Sequence, residues 1–158
     1  MTNTNERYFR FNPFQIEEWT ELELSEQYSI LENSLCFGDT PMELAHDIDV
    51  YANMGYLIGE MIARYYRIVG DVDAQLKVDI SNDVYRERNQ WMKTNDGKAP
   101  AMTYFESLAT SKYIDRYKEL HLKESRLKRF KFAYDSLDSK MNALKKKIEA
   151  VKFDIFNK

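Results

Sequence analysis

From residue 44 onward, apolar and small positions return at alternating steps of four and three: Leu44, Ile48, Tyr51, Gly55, Ile58, Ile62, Tyr65, Val69, Val72 and Leu76. This is the spacing of a heptad seam on one face of a helix. Thr40-Pro41-Met42-Glu43 supplies its start, with an N-cap Thr, a Pro at the first helical position and a Glu at the capping-box position. The pattern loosens after Leu76, and Val84 and Trp91 carry the helix to about residue 92. A second seam runs Leu127, Phe130, Tyr134, Leu137, Met141, Leu144, Ile148, Val151 and Ile155. Tyr113, Tyr117 and Leu120 extend it backwards, Glu124 interrupts it, and Ser111 is its expected cap. The three-residue step from Leu127 to Phe130 breaks the alternation as a stammer would. Between the seams, Thr94 to Pro100 is a polar linker, and Thr103 with Glu106 forms a second capping-box pair for a short helix. Residues 15–35 predict one or two short helices before a turn at Gly38-Asp39. Arg7 to Phe14 alternates aromatic and polar residues like an arm that docks on the body. The predicted fold is all-α: a long, coiled-coil-like antiparallel hairpin. Its N-terminal arm and short helices span 1–39 and its hairpin 40–158, within one domain overall.

The two seams have unequal flanks. Beside the first lie Ala45, Ala52, Gly59, Tyr66, Met54, Met61 and Ile68, and even the outward positions include Val50, Tyr56 and Leu57. A helix apolar nearly all round is a buried helix. One partner helix cannot cover it, so the pattern predicts a homo-oligomer with Gly55, Tyr56, Leu57, Gly59, Ile62 and Tyr66 at the interface. The competing expectation is that residues 1–35 wrap this helix within one chain.

Charge sharpens the asymmetry. The net charge is −3, but residues 1–111 carry 9 Lys and Arg against 19 Asp and Glu, while residues 112–158 carry 14 against 7. The last helix presents Lys123, Arg126, Lys128, Arg129, Lys131, Lys140, Lys145, Lys146 and Lys147, with Phe130, Phe132 and Tyr134 interleaved. Cations offer phosphate contacts and aromatic rings offer stacking faces for unpaired bases. The alternative is that these lysines pair with acids or solvate the helix, while Phe130 and Tyr134 are core.

Catalytic chemistry does not emerge. Cys36 has no nearby His in the sequence and reads as a small packing residue. His46 and His121 have no ligand-like neighbours, whereas a metal site needs three or four convergent ligands. Asp71-Val-Asp73 is too sparse for a calcium loop. Gly55 to Gly59 lacks the Gly-Lys-Ser/Thr of a phosphate loop. The expectation is a non-enzymatic protein without cofactor. No apolar run approaches the roughly 18 residues of a membrane span, and MTNTNERYF lacks a signal-peptide pattern. One cysteine fits a reducing compartment, so a cytoplasmic location is expected.

The order of parts resembles a known family. An acidic long helix (MELAHDIDVYANMGYLIGEMIARYYRIVGDVDAQL) precedes a Tyr/Arg stretch (DVYRERNQW) and, after a loop, a helix with Leu/Phe and Lys/Arg repeats (SRLKRFKFAYDSLDSKMNALKKKIEAV). Across about residues 42–152 this is similar to the UvsY-type recombination mediators of tailed bacteriophages. The resemblance lies in pattern and element order. It implies a homo-oligomer that binds single-stranded DNA in the host cytoplasm and helps a recombinase displace single-strand binding protein. The nine basic residues above are then the candidate DNA contacts, with Arg86, Arg88 and Lys93 a second patch. The competing reading is a protein-interaction module, either an assembly factor or an inhibitor of a nucleic-acid-binding enzyme. It would use the acidic N-terminal part and the aromatics Tyr8, Phe9, Phe11, Phe14 and Trp19.

Overall fold

The computed structural model describes residue 16 and residues 19–156, with side chains to residue 153. The proposed arm at 7–14 lies outside these residues. Four helices are described, α1 (Glu21–Glu32), α2 (Pro41–Thr94), α3 (Met102–Lys112) and α4 (Ile114–Phe156), so the fold is all-α. The long helices α2 and α4 pack against each other. Packing divides the chain into two compact units across both long helices: residues 1–63 with 129–158, and residues 64–128.

In the first unit, both helix starts are fixed locally. Thr20 and Glu23 form a reciprocal capping box on α1. Thr40 and Glu43 do the same on α2, with the Thr40 amide donating to Glu43 Oε2 at 3.1 Å and the Glu43 amide to Thr40 Oγ1 at 3.3 Å. Such a box satisfies amides that the first helical turn leaves without partners. The α2 and α4 segments run antiparallel, since Asp39 pairs with Lys147, Lys140 lies over the Tyr51 ring, and Gly55 faces Tyr134. Helix α1 joins them. Its Leu24 and Leu31 share one core with Ile16, Val50, Tyr51, Met54, Leu57, Ile58 and Leu137.

That core corrects part of the interface expectation. Val50 and Leu57, which a single seam leaves outside, are 1% and 0% exposed. They belong with Met54 and Met61 to a second apolar stripe at steps of four and three. Gly55 is also buried, and Ile62 packs on the same core. At Val50, Met54 and Leu57 the apolar excess is covered within the chain by Leu24 and Leu31 of α1. Tyr56 remains 61% exposed.

The second unit holds the rest of α2, the turn, α3 and the start of α4. Its core brings together Val84, Phe105 and Ala109, flanked by Ile80 and Ala99. Helix α2 ends in a left-handed turn, with Asp96 at φ 50° and Gly97 at φ 78°. The Gly97 amide returns to the Met92 carbonyl at 3.0 Å. Two predicted caps are corrected here. Helix α3 starts at Met102 with Ala101 at the cap position and no side-chain cap. Thr103 is thus already helical and cannot form the box with Glu106. Ser111 donates back to the Leu108 carbonyl at 2.8 Å inside the last turn of α3, and Tyr113 forms the joint to α4.

Candidate functional site

Helix α4 sorts its residues by the predicted seam. Leu120, Leu127 and Leu137 are buried, while Phe130, Met141, Leu144, Ile148 and Val151 are half-buried. Tyr134 is 46% exposed against Gly55, where a Cβ would stand 3.9 Å from its ring. The nine basic candidates then separate. Lys123 pairs with Glu119 at 3.1 Å, Arg126 donates to the Tyr65 hydroxyl at 3.2 Å, Lys140 stacks on Tyr51, and Lys147 pairs with Asp39. These four hold the chain to itself. Lys131 is exposed and also has an internal interaction. Arg129, Lys145 and Lys146 in the first unit, and Lys128 in the second, are exposed and make no ion pair among the described residues. Beside Arg129, one turn along, Phe132 is 72% exposed. It lies off the seam, so it is not a core residue. Residues three apart share a helix face, and Lys146 returns to the Phe132 side about four turns later.

The Tyr/Arg stretch of the second unit is occupied differently. Asp83, 6% exposed, is an ionic hub: Lys112 Nζ donates to it at 2.6 Å and the Tyr113 hydroxyl at 3.0 Å, and Arg86 forms an ion pair with it at 2.6 Å. Asp79 pairs with Arg116, whose guanidinium lies 5.5 Å from the Tyr113 ring centre. Arg86 also reaches Glu87 at 3.7 Å, so it is engaged inside the chain. The Lys112 hydrogen bond holds the Asp83 carboxyl below its usual range, against the opposing effect of burial, and the Arg116 hydrogen bond does the same for Asp79. Carboxyls with lowered pKa contribute stability in full above the unfolded value near ~3.9 and lose it as pH falls through the folded value. The urea midpoint is therefore expected to hold from about pH 7 to 5 and to drop below about pH 4. Asp83→Asn should flatten that acid limb, and an unchanged limb would show that the hub does not couple to folding.

Between α1 and α2 the chain makes a tight loop that sequence reading did not foresee. The amides of Cys36 and Phe37 donate to Asp47 Oδ1 at 2.7 Å and Oδ2 at 3.0 Å. His46 Nε2 lies 3.0 Å from the Ser34 carbonyl. Phe37 sits at φ 51°, and Gly38 is required because a Cβ there would come 2.1 Å from Glu43 Oε2 and 2.7 Å from Glu43 Cβ. The loop sets Cys36, His46 and Asp47 with one ligand-type atom each within 4.8 Å of one another. Cys36 is exposed, not a packing residue, and the fold gives it the His neighbour that the sequence placed ten positions away. Partial desolvation, then Asp47 and Glu43, push its thiol pKa up.

A groove of about 470 Å³ in the first unit is lined by Ala52, Gly55, Tyr56, Gly59, Glu60, Tyr134 and Asp138, among others. A Cβ at Gly59 would meet nothing within 4 Å. Tyr66, in the second unit, is 54% exposed. Of the six expected interface residues, Gly55 and Leu57 are buried, while Tyr56, Gly59, Ile62 and Tyr66 retain accessible surface. No family model, curated protein or solved structure matches the chain. No helix among the described residues is long and apolar enough to cross a membrane.

Proposed function

We propose that the chain binds single-stranded DNA along the C-terminal part of α4 and acts as a recombination mediator of the UvsY type, assisting recombinase loading against single-strand binding protein. The observation that carries this reading is the set of exposed cations on α4 without acid partners among the described residues, Arg129, Lys145 and Lys146, with the off-seam Phe132 one turn from Arg129. Cations of this kind release counterions when they meet phosphate, and an exposed ring gives any base a stacking surface. Anisotropy of a labelled oligothymidylate, titrated at about 50 and 200 mM salt, tests it. Three phosphate contacts predict a slope of log K against log salt of about −2. Absence of binding at low salt removes the reading. Self-association accompanies it, through the groove at Tyr56 and Gly59, and mass in solution tests that part. A monomer at working concentration would exclude it.

A second reading has its own observation. Residues 19–63 contain nine Asp and Glu and no Lys or Arg. On α1, Glu21, Glu26 and Glu32 are exposed together with Leu22, 68%, and Ile30, 40% exposed. An acidic helix with apolar anchors suits a basic protein surface. Indifference to DNA together with a stable complex with a basic nucleic-acid-binding protein would favour it.

A further inference from the structure

We propose that Cys36, His46 and Asp47 form a binding site for one borderline-soft divalent cation, with Zn²⁺ the fitting occupant. The three residues offer sulfur, nitrogen and oxygen donors, each within 4.8 Å of the others. Zinc bonds of ~2.3 Å to sulfur and ~2.0–2.2 Å to nitrogen and oxygen place ligand atoms roughly 3.5 Å apart around a tetrahedron. Side-chain rotations of about an ångström therefore close the site.

The surroundings already orient the donors. A carbonyl oxygen can only accept, so the contact with Ser34 puts the imidazole proton on Nε2. An imidazole that donates its other N–H to a backbone carbonyl has the arrangement that fixes metal-ligating histidines. Asp47 holds the loop through one amide on each carboxylate oxygen. Each oxygen retains a second lone pair, so ligation and loop closure are compatible. The same two amides position Cys36, and its exposure leaves a route for the ion and a fourth place for water.

Electrostatics favour a cation here. A thiolate and a carboxylate together neutralise a dication. Residues 19–63 supply no Lys or Arg to compete for them, Lys147 of α4 reaches this loop but pairs with Asp39, and Glu43 adds negative potential. Sulfur and imidazole donors select zinc-like ions over magnesium or calcium. Bound metal would clip the α1–α2 loop onto α2, which adds to the folding free energy of the first unit.

The test uses the tag-free full-length protein, stripped with chelator and titrated separately with Zn²⁺ and Co²⁺. The expected result is one zinc per chain and a thiolate-to-cobalt charge-transfer band. Cys36→Ser should abolish the band and weaken zinc binding by more than the roughly 10–100-fold that loss of a supporting hydrogen bond costs. His46→Gln, which keeps a donor for the Ser34 carbonyl, should weaken zinc binding similarly while far-UV ellipticity stays unchanged. A wild-type protein without the band, or Cys36→Ser binding zinc as tightly as wild type, would overturn the proposal.

Discussion

Replacing Phe105 with alanine is expected to cost about 3–5 kcal/mol of stability, the range for truncating a fully buried aromatic. The site offers little to fill the cavity. Phe105 is 1% exposed and, among the described residues, shares its buried core with Val84 and Ala109. Its ring meets Trp91 edge-on at 6.2 Å and Tyr104 at 5.3 Å between centroids. Phe105 is the one large side chain of α3 that is fully buried against α2, with Tyr104 meeting Trp91 at 6.0 Å beside it, so losing Phe105 removes much of the apolar reason for α3 to dock. The two tryptophans divide the readout, since Trp19 packs on the first core and Trp91 stands beside Phe105. In a Trp19→Phe background, Trp91 emission should shift red in Phe105→Ala and its urea transition should precede the loss of ellipticity. Non-coincident probes mark departure from two-state unfolding. A cost below about 1 kcal/mol would mean that the Asp83 hub, not Phe105, holds α3 in place.

The elements legible in the sequence are those with local or periodic causes. The Thr40–Glu43 box needs only four consecutive residues, and it starts α2 where predicted. The two seams need only heptad spacing, and Leu120, Leu127 and Leu137 of the second are the buried residues of α4 among those described. Features made by distant segments were not legible. Val50 and Leu57 look outward from the first seam because their cover, Leu24 and Leu31, comes from another helix. Asp83 reads as one acid in a polar run, since Lys112 and Tyr113 lie about thirty residues away. Thr103 and Glu106 have capping-box spacing, but the helix begins one residue before Thr103, and a cap works only at the boundary. Cys36 and His46 meet only because the chain reverses at Phe37-Gly38-Asp39. The basic candidates show the same limit: composition marked nine residues, while packing engages four of them with Glu119, Tyr65, Tyr51 and Asp39.

That sorting makes the functional reading sharp at three positions. Arg129→Glu, Lys145→Glu and Lys146→Glu combined are expected to weaken single-stranded DNA binding roughly 100-fold or more at low salt, because each contact becomes a repulsion. The fold should tolerate the change, since all three side chains are exposed and none has an acid partner among the described residues. Lys77→Glu, Lys98→Glu and Lys118→Glu combined change the formal charge equally from other exposed positions. Their ion pairs, Lys77 with Asp73 and Lys118 with Asp115, are surface pairs of small worth. Only long-range electrostatics would make the two triple variants equal, and that equality would remove the case for a site on α4. Phe132→Ala separates stacking from charge. Loss of a stacking ring costs about 1–3 kcal/mol per base, yet it removes no phosphate contact, so affinity should fall while the salt slope stays near the wild-type value. A ring that is 72% exposed contributes little to folding, so unchanged binding in Phe132→Ala would leave its exposure to be explained by a protein partner instead.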